Sequence, residues 1–144
     1  MDIYPPLRGC DKWGCGHFGA SRGGRLHDGV DVACYKGSTI RCVVGGKVTR
    51  IGFPYSQDNE ERKHYRLVEI KDDKGKIWRY LYMDPLVEAG QSVFTGQPIG
   101  VSQGINEVYP GMIDHVHIDC EVDGAKIDPT LMIFGSEPHE VNLI

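Results

Sequence analysis

The sequence predicts a mostly β protein, a single domain built on an antiparallel sheet with a groove. Three observations point there. Glycine is frequent, 19 in 144 residues, and it recurs at 23–24, 37, 45–46 and 75 between short runs. Those runs are rich in Val, Ile, Tyr and Thr, the composition of strands bounded by turns. No window of about 11 residues carries a 3.6-residue apolar period, so helix is a minor component.

Taken in order, residues 1–24 form an irregular arm with Pro5-Pro6 and the close pair Cys10 and Cys15. A disulfide closing that loop, buried reduced thiols, or a metal set with His17 are all open from the residues alone. The β domain spans 25–132. Its strands are expected at Val30–Val32, Ser38–Val44, Lys47–Ile51, Leu67–Ile70 and Trp78–Met83. Asp72-Asp73-Lys74-Gly75, between two of these, reads as a hairpin turn. Residues 53–66, FPYSQDNEERKHYR, are polar and charge-dense and read as an exposed loop. Residues 133–144 are an unpatterned tail.

Composition limits the partners. The chain is 40% hydrophobic and 25% charged with a net charge of −4. That balance gives no footprint for nucleic acid, and no apolar run is long enough to span a membrane. No apolar h-region follows Met1, so no secretory signal is expected within the chain as it stands.

Two fragments carry chemistry. His115-Val116-His117-Ile118-Asp119-Cys120 alternates polar and apolar. On a strand this places His115, His117 and Asp119 on one face and Val116, Ile118 and Cys120 on the other. Upstream, His27 and Asp31 share a face of an extended segment, and Gly29 leaves room between them. His27, Asp31 and one of His115 or His117 make a His₂Asp set suited to zinc with one open position. The remaining histidine would stand where an acid–base group belongs. The plainer reading is a set of unrelated surface histidines. His17, His64 and His139 have no comparable arrangement and read as surface residues.

The H-x₃-D and distant H-x-H pattern resembles the lysostaphin-type zinc endopeptidases, which cut peptide cross-links in bacterial cell walls. The stretches KGSTIRCVVGGKVTRIG and VEAGQSVFTGQPIGVSQG extend the likeness. CDKWGCGHFGASR, YLYMDP and VYPGMIDHVHID are similar to the leukocyte cell-derived chemotaxin branch of that superfamily. The resemblance implies zinc held by His27, Asp31 and His117, with His115 as the catalytic histidine. It implies that Tyr82 occupies the place of a second catalytic histidine, so that catalysis is vestigial or weak. It further implies a Cys10–Cys15 disulfide, secretion, and a signalling or innate-defence role at a cell-surface receptor or microbial cell wall. The alternative is an active cell-wall endopeptidase.

Overall fold

The computed structural model describes residues 6–135 and 140–141. Fourteen strands and one short helix follow one another: β1 (Leu7–Arg8), β2 (Cys10–Asp11), β3 (Gly14–Cys15), β4 (Val30–Ala33), β5 (Thr39–Arg41), β6 (Gly46–Gly52), β7 (Leu67–Asp72), β8 (Ile77–Leu81), β9 (Met83–Pro85), β10 (Ser92–Val93), β11 (Pro98–Ser102), β12 (His115–Val122), β13 (Ala125–Ile127), α1 (Thr130–Phe134) and β14 (Glu140–Val141). The main sheet runs β10-β6-β7-β8-β12-β4-β1-β14, with β13 also paired to β12. β5, β11 and β9 make a second sheet, and β2–β3 is a separate hairpin. Pairing is antiparallel except between β1 and β14.

Alternation along the strands fixes where the core lies. Val48, Val68, Ile70, Trp78, Tyr80, Val116, Ile118, Val30 and Val32 are fully buried and belong to one apolar cluster. Ile40, Ile99 and Met83 of the second sheet join that cluster. The Tyr80 hydroxyl accepts the Val43 N–H at 2.9 Å, which satisfies a polar atom inside the core. The opposite face of β12 carries His115, His117 and Asp119, as the alternation requires.

Several segments behave differently from the sequence expectation. β1 lies inside the main sheet beside β4, although residues 1–24 read as an arm outside it. The strand expected through Met83 breaks at Tyr82, whose φ is +78°. There the chain crosses from the main sheet to the second one. The break is held by Tyr82 N donating to Arg66 O at 2.9 Å and by Gln103 N donating to Tyr82 O at 3.0 Å. The loop 53–66 is irregular as expected, but Tyr65 is fully buried and Tyr55 half-buried. The tail from 133 contributes the end of α1, then β14 pairs with β1. His139 lies outside the described residues.

Candidate metal centre

β4 and β12 are neighbours, and their register sets Asp31 directly opposite His117. His27 stands just before β4 and is folded back by its own backbone, its N–H donating to Ala20 O at 2.7 Å. Gly29 makes the approach possible. A Cβ there would lie 2.4 Å from Ile118 O, 2.8 Å from Asp119 Cβ and 2.9 Å from His117 Cε1.

Three atoms converge. His27 Nε2 is 3.1 Å from His117 Nδ1, His117 Nδ1 is 3.1 Å from Asp31 Oδ1, and His27 Nε2 is 3.2 Å from Asp31 Oδ1. The other ring nitrogens fix the tautomers. His27 Nδ1–H donates to the His17 carbonyl at 2.9 Å. His117 Nε2–H donates to Asp119 Oδ2 at 3.0 Å, with Asp28 Oδ1 at 3.4 Å. With those nitrogens engaged outward, each imidazole turns its other nitrogen inward, toward a carboxylate oxygen. Three lone pairs facing one point in a buried pocket repel unless a cation sits among them. A tetrahedral zinc with arms of about 2.0–2.1 Å has edges of about 3.3 Å, close to this triangle. The donor set and its spacing fit such an ion.

The electrostatics agree. Burial works against charge on His117, but the hydrogen bonds its ring donates to the Asp119, Asp28 and Asp31 carboxylates outweigh it and raise its pKa well above the usual imidazole value. Burial likewise opposes ionisation of Asp31, yet the facing histidines hold its pKa well below the ordinary carboxylate range. The pocket thus retains a positive charge even in the form of a proton.

His115 lies beside this triangle. Its Nδ1–H donates to Ile113 O at 2.7 Å, which leaves Nε2 as a lone pair 3.5 Å from Asp31 Oδ2. Burial is the main cause of its lowered pKa, so it is a neutral base at neutral pH. Tyr82 packs edge-on to it, with centroids 5.8 Å apart at 81°. Burial raises the Tyr82 pKa, so its phenol keeps its proton. These groups line one cleft of about 620 Å³, with Tyr55 and Tyr109 on its walls. Tyr55 stacks on Tyr82 at 6.1 Å, and the Tyr55 and Tyr109 hydroxyls are hydrogen-bonded at 3.0 Å.

All five singled-out residues, His27, Asp31, His115, His117 and Tyr82, therefore meet in one place. His17 and His64 are exposed, although the His17 carbonyl orients His27. Cys10 and Cys15 are joined, which removes the metal set with His17. Cys34, Cys42 and Cys120 are buried thiols. Sequence reasoning missed Arg8, Asp11, Asp28 and the two tyrosines on the walls. No spacing rule marks them, because each reaches the site from a loop or a different strand. Among the described residues, no helix is long and apolar enough to cross a membrane.

Comparison with known proteins locates this geometry. Over 128 residues the chain is 33% identical to leukocyte cell-derived chemotaxin-2 of Bos taurus, covering 88% of this chain and 79% of that protein. Its fold is similar to that of lysostaphin, the antimicrobial peptidase from Staphylococcus simulans. The TM-score is 0.63 at 21% identity, over 86% of this chain and 49% of that one, so the chain spans about half of that molecule. A zinc-containing peptidase from Vibrio cholerae matches with a TM-score of 0.62 at 23% identity, over 90% of this chain and 39% of that one. The family model for peptidase family M23 matches residues 25–129, a span that holds both converging fragments and the strands between them. By that match the chain belongs to peptidase family M23.

Proposed function

We propose that this chain is a secreted, zinc-binding protein of chemotaxin type. In this reading it acts by binding a cell-surface receptor or a microbial cell-wall surface, with little or no peptidase activity. The observation that carries the reading is Tyr82, whose phenol stands beside His115, at the position where the resemblance implies a second imidazole in the endopeptidases. The Cys10–Cys15 bridge and the 33% identity to a chemotaxin support secretion.

His27 Nε2, Asp31 Oδ1 and His117 Nδ1 would hold the ion. When bound, zinc polarises a carbonyl and brings the pKa of water toward neutrality. His115 Nε2 is placed and neutral, so it accepts a proton. The phenol of Tyr82 donates a hydrogen bond but takes no proton near pH 7, since even the unperturbed pKa is about 10. Loss of one acid–base group costs on the order of 10²–10⁴ in rate. The hydrogen bond between the Tyr55 and Tyr109 hydroxyls also ties together two loops that line the cleft.

Elemental analysis should find about one zinc per chain. His27→Ala, Asp31→Ala and His117→Ala should each remove it, whereas His115→Ala should keep it. Muropeptide digestion by the wild type should be slow or absent. Tyr82→His should raise it by about 10²-fold, a gain that His115→Ala abolishes. Wild-type turnover of about 1 per second or faster, typical of working enzymes, would instead establish the endopeptidase reading.

A further inference from the structure

The disulfide hairpin lies against the metal-facing residues rather than apart from them. Arg8, only 2% exposed, fans its guanidinium between two carboxylates. Nη1 donates to Asp31 Oδ2 at 2.8 Å. Nε and Nη2 donate to Asp11 Oδ2 and Oδ1 at 3.1 and 2.8 Å, and Nη2 also reaches Gly14 O at 3.2 Å. The Asp11 side chain is wholly buried. Its Oδ1 also accepts Trp13 N, and its Oδ2 accepts Ile113 N, both at 2.8 Å. Ile113 in turn supplies the carbonyl that fixes the His115 ring. Three more contacts run from the hairpin end. Cys15 O accepts Arg22 Nη2 at 2.7 Å, Arg22 Nη2 lies 3.5 Å from Asp31 Oδ2, and Gly16 O accepts the Asp31 N–H at 2.9 Å.

We infer that the Cys10–Cys15 hairpin sets the metal affinity of the site, with Arg8 and Asp11 as its positioning residues. The inference rests on the zinc reading above. A carboxylate with one oxygen clamped by Arg8 has only its other oxygen, Oδ1, to present to the triangle, and only in one orientation. Arg8 is held in turn by the bidentate fork on Asp11, a geometry a lysine cannot reproduce. Asp11 sits on a hairpin that the disulfide closes at the Cys10–Cys15 pair, with Asp11 opposite Gly14. With the bridge absent, the hairpin can splay, Asp11 loses its fixed place, and both Asp31 and His115 lose their orientation together. Partners of this kind, one step removed from the metal, typically govern it by 10–100-fold.

The test uses the full chain, stripped of metal and titrated with zinc against a chromophoric chelator. Arg8→Lys, Asp11→Asn and the double variant Cys10→Ser/Cys15→Ser should each weaken zinc binding by about 10–100-fold. The visible spectrum of the cobalt-loaded variants should shift from that of the wild type, reporting altered coordination. A merely structural role would lower the melting temperature of the metal-free chain and leave affinity and spectrum alone. Circular dichroism of the metal-free variants separates these effects, and Asp11→Asn, nearly isosteric, decides if the others fail to fold. Variants that bind zinc within twofold of the wild type overturn this inference alone. A wild type that binds no zinc overturns the zinc reading itself, and this inference with it.

Discussion

Gly29 shows how much of the site depends on one missing methyl group. Its backbone passes so close to β12 that a Cβ would collide with Ile118 O and with atoms of Asp119 and His117. Backbone on one side and a candidate ligand on the other leave nothing free to yield. Gly29→Ala should therefore cost about 1–3 kcal/mol of stability, the range for overpacking. It should also weaken zinc binding by pushing His27 away from His117. Thermal melting without metal and zinc competition measure the two effects; an unchanged affinity would mean that β4 can shift without disturbing the triangle. Tyr82 presents the opposite case. A φ of +78° is costly for an aromatic residue and easier for histidine. The backbone at this position is therefore already suited to the imidazole that Tyr82→His introduces.

At the scale of elements, Asp72 ends β7 and organises the turn into β8. Its Oδ1 accepts the N–H groups of Lys74 and Lys76, both at 2.9 Å, and its Oδ2 accepts the buried indole N–H of Trp78 at 3.1 Å. Asp72→Ala should cost about 1–3 kcal/mol, because the Trp78 donor is left unpaired inside the core. Burial works against the ionised form of Asp72, yet these donors outweigh it and depress its pKa. A carboxylate with a depressed folded pKa contributes fully above its unfolded value of about 3.9, and that contribution fades as pH falls through the folded value. The stability gap between wild type and Asp72→Asn should accordingly shrink below about pH 4 in denaturant titrations; a gap that widens there would contradict it. The turn itself was legible in Asp72–Gly75, since the hairpin needs Gly75 at φ +85°. So were the strands and the shared face of His115, His117 and Asp119, because a period of two requires no tertiary knowledge. The pairing of β4 with β12, the insertion of β1, and the break at Tyr82 were not legible. They depend on contacts between residues distant in sequence, such as Gln103 with Tyr82, which no local pattern encodes.

For the whole molecule, the proposed zinc binding would make metal affinity and stability one equilibrium. With free zinc at about a thousand times its dissociation constant, the folded state gains about 4 kcal/mol. In a chain of this length each kcal/mol moves the melting temperature by about 2–4 °C. Adding a strong chelator should thus lower the melting temperature by about 10 °C in the wild type and leave His117→Ala unmoved. Differential scanning calorimetry checks both halves, and equal shifts in the two proteins would place the metal elsewhere. Asp31 and His117, which face each other across β4 and β12, are 86 residues apart in the chain. Contacts of such separation form late, after most of the loop-closure entropy has been lost. The triangle is therefore expected to be absent from the transition state for folding. Zinc should leave the refolding rate nearly unchanged and slow unfolding by up to about a thousandfold at that concentration. The metal would act as a latch on a finished fold rather than a seed for it, and its main effect would be on how long a folded molecule lasts.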